Sequence, residues 1–458
     1  MRQPTLRILL AGAVSAAAVV AWSGAAQAGG FALREQSAAG LGMAFAGVGA
    51  GSAGLGSMFW NPAILTKVPG IQFESVISGI FPYAKFNAGP GSAARFDGLS
   101  TGDLAQDAAL PASYSSIQLN DKLWVGLGLN TPYGLTTKPS SDFGVGRGYG
   151  FSTSVLSFEL TPTVAYKIND MISVAAGLRV MHFQTTYKSF FNAPTVGLPA
   201  SQNQAFGIEG DSMGYGFTLG ATITPFAGTE IGIGYRSAVE QELKGTFNGL
   251  TFSFPFNVAP ATAPLRAAFP TSLVKSKVVL PETITVGIKQ TINDKFSVSA
   301  GFEWTNWSRV GYPRVVQESN GSLYPGTPFL PLGYKDGWYA SIGGEYKIDP
   351  TWTVRAGLAY EKSPIGTETR SLRLPDNDRI WATLGASYNF NQKLTFDIGY
   401  AHIFPANTNV ALVPGNPGYS TTYGPLVGKV DAHVDIVSVG VKFRWDDPSK
   451  TIPVIAKF

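Results

Sequence analysis

Val437-Ser438-Val439-Gly440-Val441-Lys442-Phe443-Arg444-Trp445 is the stretch that decides the fold of this 458-residue chain. Every second residue is large and apolar, and those between are small or charged. Period two belongs to an extended strand with one oily face and one polar face. The pattern recurs upstream. Ile172, Val174, Ala176, Leu178 and Val180 alternate with Ser173, Ala175, Gly177 and Arg179. Phe296, Val298, Ala300, Phe302 and Trp304 alternate with Ser297, Ser299, Gly301, Glu303 and Thr305, and Trp352, Val354, Ala356, Leu358 and Tyr360 with Thr353, Arg355, Gly357 and Glu361.

A soluble sandwich alternates too, but its apolar face is a core that seldom ends in aromatic rings. Here strand after strand carries Trp, Tyr or Phe near an end of its apolar face, the aromatic girdle of a membrane barrel. Ten residues at about 3.3 Å each, tilted about 40°, span about 25 Å, the height of an outer-membrane apolar band. The fold class expected is therefore all-β: a 14-stranded antiparallel transmembrane β-barrel. Its strands are read at 71–86, 111–119, 122–132, 154–168, 172–187, 211–225, 230–244, 276–291, 295–310, 335–348, 351–363, 378–390, 393–404 and 433–445. Short turns at Asn120-Asp121, Asn169-Asp170, Ala227-Gly228-Thr229, Asn293-Asp294, Asp349-Pro350 and Asn391-Gln392 separate seven longer loops. Short turns face the periplasm and long loops the exterior.

Composition agrees with this reading. Charged residues are 14% of the chain, against roughly 25% in soluble domains. Beyond the N-terminus no apolar run reaches about 18 residues, which excludes membrane helices. With no cysteine, disulfides and thiolate chemistry are excluded.

The N-terminus carries Arg2 and Arg7, an apolar core from Ile8 to about Val20, and Ala26-Gln27-Ala28, a small-x-small cleavage pattern. We read 1–28 as a signal peptide. Its removal lowers the basic residues from 34 to 32 against 30 acids, a net charge of +2. With no basic cluster, a nucleic-acid partner is excluded.

From Gly29 to Leu65 the chain holds nine Gly, eight Ala and three Ser, with Arg34 and Glu35 its only charges. Each glycine would weaken a helix by about 1 kcal/mol, and no strand alternation is present. Such a segment needs a container. We read 29–70 as a hatch inside the barrel lumen, 71–445 as the barrel and 446–458 as a C-terminal tail. An empty barrel of this size would leak.

Four motifs in order, Asn61-Pro62-Ala63, Thr131-Pro132-Tyr133-Gly134-Leu135, Trp304-Thr305-Asn306-Trp307-Ser308 and Leu374-Pro375-Asp376-Asn377-Asp378-Arg379, make the mature chain resemble the FadL/TodX-type outer-membrane transporters. The resemblance implies an outer-membrane location and passive import of hydrophobic small molecules, either long-chain fatty acids or aromatic hydrocarbons. It implies a hatch ending at Asn61, Pro62 and Ala63, capture by external loops, a pocket in the barrel, and lateral exit at a kink in the third strand around Thr131, Pro132, Tyr133 and Gly134. Pro132 cannot donate to a ladder and Gly134 permits unusual backbone angles, so the distortion is expected there. Gln184 stands near where some relatives carry a basic residue that faces the ligand.

Candidate ligand-binding residues are the external Phe247, Phe252, Phe254, Phe256 and Phe269, whose rings form either a capture surface or a lid. Inward-facing Arg179, Arg236 and Arg355 are candidates for holding a carboxylate, with lumenal salt bridges to Glu159, Glu303 or Glu361 as the alternative. His182, His402 and His433 lie on different strands, which argues against a metal site or a lipase-type Ser-His pair. Asp376-Asn377-Asp378 offers a divalent cation a loop, or is simply solvated. Gly49-Ala50-Gly51-Ser52-Ala53-Gly54 matches a dinucleotide fingerprint by letters only. Transport of this kind needs no catalytic residue, cofactor or metal. The partners expected are an apolar ligand, outer-membrane lipid and lipopolysaccharide, and the barrel-assembly machinery, with the protein itself a monomer. Trp445 and Phe458 are rival terminal signals for assembly. A polar-solute porin is the alternative function, disfavoured by the hatch.

Overall fold

The computed structural model describes residues 29–252, 260, 262–325 and 330–446. One antiparallel sheet closes on itself. Its fourteen staves are β1 (Ile71–Ala88), β2 (Ala108–Gln118, extended outward by Ser100–Asp103), β3 (Leu123–Asn130, then Gly134–Thr137), β4 (Ser152–Lys167), β5 (Ile172–Phe191), β6 (Gln204–Phe226) and β7 (Thr229–Arg236, then Val239–Asn248). The remainder are β8 (Ser272–Leu280, then Thr283–Thr291), β9 (Phe296–Thr305, then Val315–Gln317), β10 (Gly337–Lys347), β11 (Trp352–Lys362), β12 (Arg379–Asn389), β13 (Leu394–Pro405, then Thr408–Leu412) and β14 (Leu426–Arg444). Each pairs with its sequence neighbour, and β1 pairs with β14 from Gln72↔Arg444 to Ala88↔Gly428, which leaves no edge strand.

The short turns fall where the sequence reading put them, and their chemistry is local. Asn120, Asn169, Asn293, Asp349 and Asn391 each accept a backbone N–H two residues on through Oδ1, an Asx turn that reverses the chain. The sixth turn uses Gly228 at φ 81°.

Burial is inverted relative to a soluble protein. Leu178, Ile342 and Leu384 are more than 60% exposed, while Ser78, Ser438, Thr218 and Thr222 are buried. Exposed rings band the outer wall near the periplasmic end, among them Tyr166, Phe226, Tyr346, Trp352, Phe390 and Trp445. No described helix is long and apolar enough to cross a membrane; the strands do so.

Residues 29–70 pack against the strands, which carry glycine where the two surfaces meet. A Cβ at Gly234 would overlap the Trp60 carbonyl, one at Gly232 the Gly49 carbonyl, one at Gly220 the Asn61 side chain, and one at Gly357 the Met43 backbone. The inward glycines of the barrel are thus the mould for a hatch made of small residues. Within the hatch, Asn61 accepts the Ala63 N–H at 3.0 Å and caps the short helix Pro62–Lys67, with Pro62 at its first position. The Asn61 Nδ2 donates to Gly49 O (2.6 Å) and to Ala221 O of β6 (2.9 Å), pinning the motif to the wall.

Candidate functional site

The third stave is broken between Asn130 and Gly134, and the break is where its pairing with β2 stops. Pairing of β2 with β3 stops at Ser113↔Leu129 and resumes only at the isolated bridge Ala105↔Thr137. Between them, residues 106–112 and 130–136 share no ladder. Two prolines, Pro111 and Pro132, face this gap, and neither has an N–H to donate.

Open backbone groups at membrane depth are tolerated only where protein satisfies them. Here they are satisfied from inside. The Thr131 carbonyl accepts from Gln36 Nε2 (2.9 Å), and the Pro132 carbonyl from the Leu33 N–H (2.8 Å). The Tyr133 N–H donates to Ser157 Oγ (2.8 Å), the Tyr133 carbonyl accepts from the Ser157 N–H (3.1 Å), and the Gly134 N–H donates to the Phe31 carbonyl (3.0 Å). The first residues of the hatch therefore act as a short strand laid on the kink.

That arm also divides the lumen. Above it is a narrow chamber of about 90 Å³ lined by Phe31, Leu135, Val155, Phe183, Leu243 and Leu374 among others. The Phe31 ring forms its floor, edge-on to Trp307 at 4.8 Å and 5.8 Å from Tyr133. Below and beside the arm is a second, smaller space of about 50 Å³, bordered by Ala32, Leu33, Pro132 and Tyr133. An external mouth of about 760 Å³ lies among Tyr149, Phe191, Phe206, Leu265, Phe269 and Tyr423, and Tyr187, Pro331 and Arg373 border both it and the chamber.

The sequence match is consistent with this geometry. Residues 18–445 fit the family model for the outer membrane protein transport proteins (OMPP1/FadL/TodX). The chain belongs to the FadL/TodX family. It is 26% identical over 429 residues to the long-chain fatty acid transport protein of Escherichia coli K12, spanning 88% of this chain and 93% of that one. It is 28% identical over 405 residues to a 47 kDa outer membrane protein of Pasteurella multocida, spanning 85% and 90%. The solved structure of a Pseudomonas aeruginosa FadL homologue superposes with a TM-score of 0.78 over 92% of this chain and all of that one, at 22% identity. The Pseudomonas putida toluene transporter TodX gives 0.65 over 90% and 99%, at 17% identity. This FadL/TodX barrel is accordingly an outer-membrane protein of a transport family, not an enzyme.

In this FadL/TodX member the anticipated residues are distributed unevenly. Thr131, Pro132, Tyr133 and Gly134 form the kink, and Gly134 is not among the glycines with positive φ. Its lack of a side chain serves packing: a Cβ there would press on Leu33 of the hatch, 2.7 Å away. Phe269 lines the mouth. Phe252 is buried edge-on to Phe191, and Phe247 is buried in a stack 4.0 Å from Tyr324. Phe254 and Phe256 lie outside the described residues, as do the signal peptide and the tail beyond Asp446, including Phe458. The Trp445 N–H closes onto the Ile71 carbonyl at 2.8 Å.

The arginines follow the salt-bridge alternative. Arg179 meets Glu159 at 2.7 Å, and Arg236 meets the other oxygen of the same carboxylate; both border the lower space. Arg355 sits 2.7 Å from Glu345 and borders neither the chamber nor the mouth. Gln184 is exposed on the outer face, while its neighbours Phe183 and Thr185 line the chamber.

The loop Asp376-Asn377-Asp378 is neither solvated nor a cation site. Asp376 is buried between Arg379, Ser363 and the Gly30 N–H, and Asp378 pairs with Lys362 at 2.7 Å. Together with Glu361, which accepts from the Gly29 N–H at 2.9 Å, this loop holds the start of the hatch. His402 and His433 do come together, stacked at 6.1 Å on neighbouring strands beside Asp435, contrary to the expectation of scattered histidines. No metal-competent cluster exists among the described residues.

Sequence reasoning passed over Arg373. It lies between Leu372 and Leu374 in the loop after β11, buried, with its guanidinium 3.7 Å over the Tyr187 ring. Burial pulls its pKa below the usual guanidinium value.

Proposed function

We propose that this barrel passively imports hydrophobic small molecules, long-chain fatty acids among them, across the outer membrane. The observation that carries the reading is the apolar path: a mouth among external rings, a chamber sharing a border with it, a hatch arm at the chamber floor, and an unpaired stretch of wall beside that arm. A ligand leaves water at the mouth, moves to the chamber by exchanging water contact for apolar burial, and passes the arm to reach the bilayer between β2 and β3. No bond is made or broken. A polar-solute porin does not fit a lumen filled by 29–70.

Processing after Ala28 suits this scheme, because the α-ammonium of a chain starting at Gly29 would meet Glu361 inside the lumen, where the Gly29 N–H now lies. We take the barrel as a monomer, inserted by the assembly machinery and bordered by lipopolysaccharide.

Uptake of radiolabelled oleate and toluene by cells lacking the protein, with and without its re-expression, tests the reading. Expression is expected to raise uptake of one or both. Uptake that does not change for either contradicts it.

A further inference from the structure

Five of the buried cations in the lumen already have a carboxylate. Arg34 pairs with Glu303, Arg179 and Arg236 with Glu159, Arg355 with Glu345, and Arg379 with Asp376. Arg373 differs. No acid lies within ion-pair distance of it among the described residues, and its guanidinium lies over the Tyr187 ring instead. A buried cation without a counter-ion is costly to maintain, so its retention at a ligand passage calls for an anion that comes and goes.

The side chain is held ready for one. Nη1 donates to Thr153 Oγ1 (3.1 Å) and to the Lys188 carbonyl (2.7 Å), and Nη2 to Ser189 Oγ (2.7 Å). These three bonds fix the plane of the guanidinium against β4 and β5. A guanidinium carries five N–H donors in a planar fork suited to the two oxygens of a carboxylate, and these bonds use three of them. The same residue borders both the external mouth and the apolar chamber. Lys244 and Lys275, also at the chamber wall, are paired across β7 and β8. They alternate with the inward Leu243, Gly245, Val274 and Ser276, so their ammonium groups face outward. Arg370, the other buried arginine of this loop, is committed to the Asp376, Ile365 and Asn409 carbonyls and to Asn377.

We infer that Arg373 is the specificity-determining residue of this pathway, holding the carboxylate of an amphiphile at the mouth-chamber border while the hydrocarbon chain lies in the apolar chamber. The inference rests on the import reading above and narrows its ligand class from any apolar molecule to one with a terminal anion. A neutral ligand of the same length would leave the guanidinium unpaired and bind more weakly.

The test measures binding of oleate, methyl oleate and oleylamine to the purified full-length barrel in detergent, by isothermal titration calorimetry. The wild-type series needs no variant: oleate is expected to bind about ten- to a hundredfold more tightly than methyl oleate, the range of one charge-assisted bidentate contact, and oleylamine most weakly. Arg373→Met should remove that preference by weakening oleate alone, and Arg373→Lys should restore part of it. The heat-dependent electrophoretic shift of a folded barrel serves as the folding check. Equal binding of oleate and methyl oleate by wild type overturns the inference and leaves the import reading intact. Loss of both ligands in a folded Arg373→Met barrel also overturns it, because the side chain would then only shape the chamber. Failure of wild type to bind any of the three overturns the import reading as well.

Discussion

Oxidation of an Ala32→Cys/Tyr133→Cys double variant should abolish ligand uptake, and a reductant should restore it. Ala32 and Tyr133 face each other in an isolated antiparallel bridge flanked by the Leu33–Pro132 and Gly134–Phe31 hydrogen bonds. They form the non-hydrogen-bonded kind of pair, whose Cα atoms stand about 4.5 Å apart, within the range a disulfide spans. The native chain has no cysteine, so the cross-link is unambiguous. Locking this pair fixes Phe31 as the chamber floor and ties the arm to the kink. If ligand must pass the arm to reach the gap, release stops while capture continues. Radiolabelled ligand should then accumulate on the oxidised barrel without entering the cell. Full uptake by the oxidised variant, with the disulfide confirmed by mass, would show that the arm is not a door.

Removal of residues 31–60 should have the larger effect on permeability. The inward glycines that receive the hatch leave the strand backbones bare at that level, so no side chain replaces what is deleted. A fourteen-stranded barrel emptied this way is expected to admit large hydrophilic antibiotics. The deletion also takes away Gln36, Leu33 and Phe31, the partners of three backbone groups in the kink. Each orphaned group costs about 1 to 3 kcal/mol, so thermal stability should fall as well. Unchanged antibiotic sensitivity in a deletion that still shows the heat-dependent shift would mean that the external loops close the barrel.

The barrel was legible because its signals are local. Period-two alternation, an Asn or Asp at five of the six turns, and rings at strand ends each act within a few residues. The outer halves of the strands were not: in β14, residues Val430, Val434 and Ile436 face the lumen and are buried, so alternation fades where the inner face turns apolar too. There Val434 and Ile436 pack with Ile80, Leu110 and Trp381, and Val430 with Phe86 and Leu426. Pro132 marked the kink, but Pro111 and Ser157 are distant in sequence and act there only because the sheet brings them alongside. The acidic loop 376–378 gave no sign that its partners would be the first residues of the hatch. Arg373 carried one signal, an arginine set between two leucines in a loop, and its meaning depends on the absence of a nearby acid, which only the folded arrangement supplies.

Lateral passage is tested most directly by mapping where a photoreactive fatty acid attaches during transport. A diazirine-bearing fatty acid is flashed on intact cells expressing the protein, and the adducts are located by peptide mass spectrometry. The account predicts adducts on chamber residues such as Phe183 and on the two sides of the gap, 106–112 and 130–136. Adducts on the chamber and on the periplasmic side of the hatch, around 62–70, with none at the gap, would place the route through the hatch and contradict it.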